Sequence, residues 1–190
     1  MAKLKVVVVG NGMVGHHYVQ TLANSDIDAD ICVIGGETRP AYDRVHLSEV
    51  FDGKAPADLA LTTREAYEEL GVDAHFGDLV SKIDRDNKQV VTEGGQVFDY
   101  DKLVLATGSY PFVPPVPGRE RAHCLTYRTI DDLGEIKASA KGKQVGVVVG
   151  GGLLGLECAN ALKNLGLEAH VVEFAPGLMG VQLDEGGSRM

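Results

Sequence analysis

Two glycine runs hold the most specific chemistry in the chain. The first, Gly10-Asn11-Gly12-Met13-Val14-Gly15, follows the apolar run Leu4 to Val9 and opens the helical stretch Met13 to Ala23. The second, Gly150-Gly-Gly152-Leu153-Leu154-Gly155, follows Gln144 to Val149 and opens a helix that continues to about Leu165. Between a strand and a helix, each glycine has a task. The first permits the turn, the second lets backbone approach a pyrophosphate, and the third lets helix and strand pack closely. The helix N-terminus then receives the anion through unpaired amides and the positive end of its dipole, with no cationic side chain. His16 and Leu156 follow the last glycines where a mononucleotide P-loop would place Lys-Ser/Thr, so that alternative is excluded.

An acidic residue follows the next strand in both copies. Glu37 lies 22 residues after Gly15, beyond the strand Asp30 to Ile34, and Glu173 lies 18 residues after Gly155, at the end of Glu168 to Val172. Such an acid hydrogen-bonds an adenosine ribose, and the charge of Glu173 repels a 2′-phosphate, which favours NADH over NADPH. In the first copy the ribose contact is left open between the Gly36 position and Glu37, the nearest acid.

Behind these motifs the sequence lays out a repeated strand–turn–helix–strand plan. Between the copies lie a short helix, Thr63 to Leu70, and strands at Val72 to Phe76, Leu79 to Ile83, Gln89 to Thr92 and Gln96 to Phe98. Another apolar strand, Lys102 to Ala106, ends in Thr107-Gly108, where ligands of α/β sheets collect. Prolines 111, 114, 115 and 117 stiffen the connector that follows. Ile130 to Ser139 reads as a helix with Thr129 as N-cap and Asp131 and Asp132 in its first turn. The expected fold is α/β: two Rossmann-like dinucleotide-binding units, the second nested and truncated, with a small β-rich insert. Residues 1–117 form the first part of one domain and 118–190 the N-terminal part of the other.

Composition narrows the function. The 190 residues carry a formal charge of −9, which opposes nucleic acid and anionic membrane surfaces. The apolar runs are far shorter than the roughly 20 residues that span a bilayer, and no export signal opens the chain, so a cytoplasmic protein is expected. Cys32, Cys124 and Cys158 are too widely spaced for a CxxC pair, a zinc pattern or an iron–sulfur spacing, and no metal ligand is assigned. Cys32 and Cys158 read as small core residues, and His16 and His17 as helix-surface residues.

These motifs resemble those of the two-dinucleotide-binding-domain flavoprotein reductases of the pyridine nucleotide-disulphide oxidoreductase family. The resemblance rests on Val9 to Gly15, on Leu103-Val-Leu-Ala106-Thr107-Gly108, and on Val149 to Glu157, in that order. Within this family, the stretches Arg39 to Ser48, Ala106 to Pro111, Tyr127 to Leu133 and Glu173 to Met179 are most similar to the large subunits of NADH-dependent nitrite reductases. The resemblance implies FAD on the first fingerprint, with Ala106, Thr107 and Gly108 beside it and Arg44 pairing with its pyrophosphate. It implies NADH on the second. It further implies a sirohaem and a [4Fe-4S] cluster in another part of the protein, nitrite as the acceptor, and a small subunit as a further partner. Ferredoxin- and rubredoxin-reductase relatives typically carry Leu-Ser-Lys where this chain has Leu47-Ser48-Glu49, which weakens that alternative.

The stretch from Gly150 to Met190 accommodates one βαβ start of about 30 residues but not a complete nucleotide-binding sheet. The sequence therefore reads as an N-terminal fragment of a longer protein, inactive alone. Hydride transfer needs positioned rings and no acid or base, so no catalytic side chain is nominated. The alternatives are a ferredoxin/rubredoxin reductase-type flavoprotein and a non-catalytic cofactor-binding fragment.

Overall fold

The computed structural model describes residues 3–188. The chain divides into two units, one of Met1–Asp43 with Leu59–Ser109, the other of Arg44–Asp58 with Tyr110–Met190.

The first unit is built on β1 (Leu4–Val9), α1 (Met13–Ala23), β2 (Ala29–Gly35), α2 (Arg64–Glu69), β3 (Asp73–Phe76) and β7 (Lys102–Leu105). The four strands form a parallel sheet in the order β3-β2-β1-β7. An apolar run without alternation is what a strand covered on both faces requires, and Val6, Val7, Val8 and Val9 are all buried. On one face Val6, Val8, Ile31 and Val33 pack with Val19 of α1 and Tyr67 of α2. On the other, Val7, Val9 and Ile34 pack under Val90. Val90 belongs to an antiparallel meander of β4 (Val80–Asp84), β5 (Gln89–Thr92) and β6 (Val97–Asp99). Burying each such valine is worth about 1.5–3 kcal/mol, so this doubly covered strand anchors the turn that follows it.

The second unit contains α3 (Ile130–Ala140), β8 (Val145–Val149), α4 (Leu153–Asn164), β9 (Glu168–Val172) and the single turn α5 (Glu185–Ser188), with β8 and β9 parallel. Thr129 caps α3 through a reciprocal box with Asp132. Ile136, Val148 and Leu162 form the core of this unit, with Phe51 and Tyr127 packed against it. One face of β8 remains open, with Val145, Val147 and Val149 50%, 58% and 69% exposed.

Three sequence expectations need correction. Arg44–Asp58, placed in a 1–117 domain, groups with the second unit because Phe51 stacks on Tyr127 and Lys137 Nζ donates to the Val50 carbonyl. His16 is buried rather than on the helix surface, sharing the inward face of α1 with Val19 at helical i, i+3 spacing. Cys32 and Cys158 are only half-buried, each packed at the margin of a core cluster. Among the described residues no helix is long and apolar enough to cross a membrane.

Candidate functional site

The turn after β1 is built around Gly10. Its φ of +105° is a backbone region open to glycine, and a Cβ there would collide with the Ala106 carbonyl just beyond β7. The Ala106 amide in turn donates to the Val9 carbonyl at 2.8 Å. Gly15 completes the crossing, since a Cβ on it would fall on the Gly10 carbonyl. Thus Gly10, Gly15, Ala106 and Thr107 come together at one crossing.

Gly12 differs from them. Nothing lies within 4 Å of where its Cβ would be, and it is the N-cap of α1 without offering a side-chain cap. The first turn, Met13 to Gly15, holds no acidic residue. Its amides and the dipole end are therefore left for an anion, the arrangement that suits a pyrophosphate.

The neighbour of this crossing, Asn11, belongs to a buried polar chain that no local spacing announces. Tyr67 Oη donates to Asn11 Oδ1 at 2.6 Å, and His16 Nδ1 lies 3.0 Å from Tyr67 Oη. Because the phenol proton is spent on Asn11, its oxygen accepts from His16, which places the imidazole hydrogen on Nδ1. Burial, with His17 adding to it, holds His16 below the usual histidine range, and burial pushes the Tyr67 phenol up to about 12. The chain fixes the Asn11 amide and leaves Nδ2 screened from solvent with no hydrogen-bond partner among the described residues. Glu37, just past β2, accepts from Tyr42 Oη at 2.7 Å. Gly36 is exposed, and Gly35 packs against Asn11. Gly108 has a φ of +71° and carries the chain away from β7.

The second unit repeats the crossing. Gly150 has a φ of +115°, a Cβ on Gly155 would meet the Gly150 carbonyl, and Gly152 has open space. Gly152 caps α4 without a side-chain bond, and the first turn of α4, beginning Leu153-Leu154, again lacks an acid. Glu173 reaches this loop, accepting from the Gly151 amide at 2.6 Å and the Ala175 amide at 2.9 Å. Those bonds, the Ala175 one foremost, hold its carboxyl below the usual carboxylate range. Each carboxylate oxygen has two acceptor positions, so a ribose hydroxyl can still be received beside the glycine loop.

Arg44 lies in the second unit, where its Nη1 donates to the Arg128 carbonyl at 3.1 Å. Beside it, Tyr127 Oη donates to Ser48 Oγ at 2.8 Å and Ser48 donates to Glu157 Oε2 at 2.6 Å. Sequence reasoning did not find this triad, whose members come from three distant segments. Arg44, Leu47, Tyr127, Arg128, Leu154 and Glu157 line a small crevice.

Residues 4–190 match the family model described as pyridine nucleotide-disulphide oxidoreductase. The chain belongs to the pyridine nucleotide-disulphide oxidoreductase family. Among curated members of this family, it is 51% identical to the nitrite reductase [NAD(P)H] large subunit of Klebsiella oxytoca, with 100% of this chain and 20% of that protein covered. It is 47% identical to the nitrite reductase (NADH) large subunit of Escherichia coli K12, covering 98% of this chain and 22% of that protein. The chain thus spans about a fifth of the length of these relatives. Among solved structures, NADH:rubredoxin oxidoreductase from Clostridium acetobutylicum superposes with a TM-score of 0.87 at 28% identity, covering 99% of this chain and 49% of that one. The doubly crossed α/β architecture is therefore that of this oxidoreductase family.

Proposed function

We propose that this chain carries FAD on the Gly10–Gly15 crossing and NADH on the Gly150–Gly155 crossing of a cytoplasmic flavoprotein reductase. In the whole protein, electrons would continue to a sirohaem and [4Fe-4S] centre that reduces nitrite to ammonium, with a small subunit as partner. The observation that carries the reading is the repetition of one geometry: two uncapped helix N-termini, each behind a glycine turn with open space at its middle glycine. The names and identities of the two nitrite reductase relatives support the choice of acceptor.

Held on these two crossings, NADH would supply a hydride for which FAD would be the acceptor. The chain's own residues bind and orient. Amides of Gly12, Met13, Val14 and Gly15 face one pyrophosphate, with Asn11, Ala106, Thr107 and Gly108 shaping the same crossing. Glu37 is the ribose acceptor there, and Arg44 is assigned to the pyrophosphate through the family resemblance. Gly152, Leu153, Leu154 and Gly155 serve the second pyrophosphate, and the fixed negative charge of Glu173 disfavours a 2′-phosphate. No side chain needs to move a proton in this transfer.

A rubredoxin-type reductase is the second reading, favoured by the structural neighbour from Clostridium. Glu49 weighs against it by resemblance, since it stands where such relatives typically carry lysine; here it pairs with Lys54 at 2.7 Å. The test is to load the full-length protein with FAD, remove the excess, and add NADH anaerobically while following the flavin absorbance. Bleaching supports both assignments, whereas failure to retain flavin overturns the first and retention without bleaching overturns the second. Reoxidation by nitrite rather than by rubredoxin separates the two acceptors.

A further inference from the structure

Cys32 on β2 and Asp73 on β3 are register partners, and His75 lies two residues further along β3, opposite Ile34. Aligned residues of parallel strands project to one face and i, i+2 neighbours share it, here the face beneath the meander, where Cys32 packs with Val90 and Phe98. The Cys32 Sγ, a carboxylate oxygen of Asp73 and an imidazole nitrogen of His75 all lie within 4.8 Å of one another. It is the one such trio of His, Cys and carboxylate among the described residues.

The close approach of His75 to Asp73 is not a hydrogen bond. His75 Nε2 stands 3.0 Å from Asp73 Oδ1, yet it is screened from solvent and forms no hydrogen bond. Phe98 meets the imidazole edge-on at a centroid distance of 4.7 Å, which fixes the ring. Three lone-pair-bearing atoms thus converge with no hydrogen in bonding geometry between Nε2 and the carboxylate. A cation satisfies all three at once, and Asp73, largely exposed, leaves a path for its entry.

We propose that Cys32, Asp73 and His75 bind a thiophilic divalent cation of the zinc type, with water as fourth ligand, pinning the edge strand β3 to β2. A mixed sulfur, nitrogen and oxygen set suits zinc and not magnesium or calcium. Tetrahedral bonds of about 2.0–2.3 Å place ligand atoms roughly 3.6 Å apart, so the trio closes by side-chain adjustment. On binding, the Cys32 S–H bond is exchanged for a sulfur–metal bond, one proton leaves to solvent, and no group is oxidised or reduced. None of the residues assigned to the nucleotide crossings takes part, so the site stands apart from them.

Anaerobic titration of the protein with Co2+ tests this. One equivalent should produce a thiolate-to-cobalt charge-transfer band with the visible bands of tetrahedral cobalt, and Zn2+ should displace both. C32S and H75A should each weaken binding roughly tenfold or more, while C124S, at the exposed thiol, leaves it intact. Zn2+ should raise Tm in the parent and not in C32S. Absence of the thiolate band, its survival in C32S, or its loss in C124S overturns the proposal.

Discussion

Ser48 donates its hydroxyl hydrogen to Glu157 Oε2 at 2.6 Å, joining residues 109 positions apart, and accepts from Tyr127 Oη in the same step. Removing the hydroxyl strands two half-buried polar groups at once. S48A should therefore cost about 1–3 kcal/mol, and Y127F, which removes one bond and leaves Ser48 paired to Glu157, about 1 kcal/mol. Urea unfolding decides it; equal losses would mean that the triad does not act as a relay through Ser48.

The first and middle glycines of the first crossing should separate stability from binding. G10A forces an alanine into a left-handed backbone, costing about 1–2 kcal/mol before the collision with the Ala106 carbonyl is counted. G12A meets nothing within 4 Å, so Tm should hold while flavin retention falls. A G12A protein that retains flavin as the parent does would remove the pyrophosphate from this helix end.

At the second crossing, the E173A variant removes the charge that opposes a 2′-phosphate. The ratio of NADPH to NADH affinity should rise roughly tenfold, equivalent to 1.4 kcal/mol. Fluorescence titration of both nucleotides reads the ratio directly. Because Glu173 also latches Gly151 and Ala175, NADH binding itself should weaken as well. An unchanged ratio would leave Glu173 with the latch alone.

Acid should act on His16. Its folded pKa lies below the ordinary histidine value of 6.5, so between the two the unfolded chain binds the extra proton. Stability is then full above about pH 6.5 and falls as pH drops toward the lowered folded value. In H16Q this part of the pH dependence should disappear while acid loss from the carboxylates remains. Thermal melts of both proteins from pH 7.5 to 5 measure the difference, and parallel curves would show that His16 is not the group responsible.

The parts of the fold legible in sequence were those whose signal is contiguous. Gln89–Thr92, Glu168–Val172 and Met13–Ala23 stand where patterning puts them, and both glycine crossings form because strand, turn and helix follow one another directly. What stayed hidden depends on segments meeting across the chain. His16 looked like a surface residue because its partner Tyr67 is 51 residues away, although its i, i+3 relation to Val19 was a usable hint. The segment Arg44–Asp58 has no periodicity that reports its preference for Tyr127, Lys137 and Glu157. The meeting of Cys32 with Asp73 and His75 is created by strand register, which spacing within one segment cannot express.

The path of the chain between its units also sets a schedule during synthesis. Arg44–Asp58 leaves the ribosome well before the residues it packs with, and Ser48 precedes Glu157 by 109 positions. At ribosomal speeds this amounts to a wait of roughly 5 to 20 s. For that interval Leu47, Val50 and Phe51 are apolar side chains on a tether without their cover, while β1, β2 and β3 are already available to pair. The nascent chain is thus most exposed to chaperones and to misassembly in this segment, and faster elongation shortens the exposure.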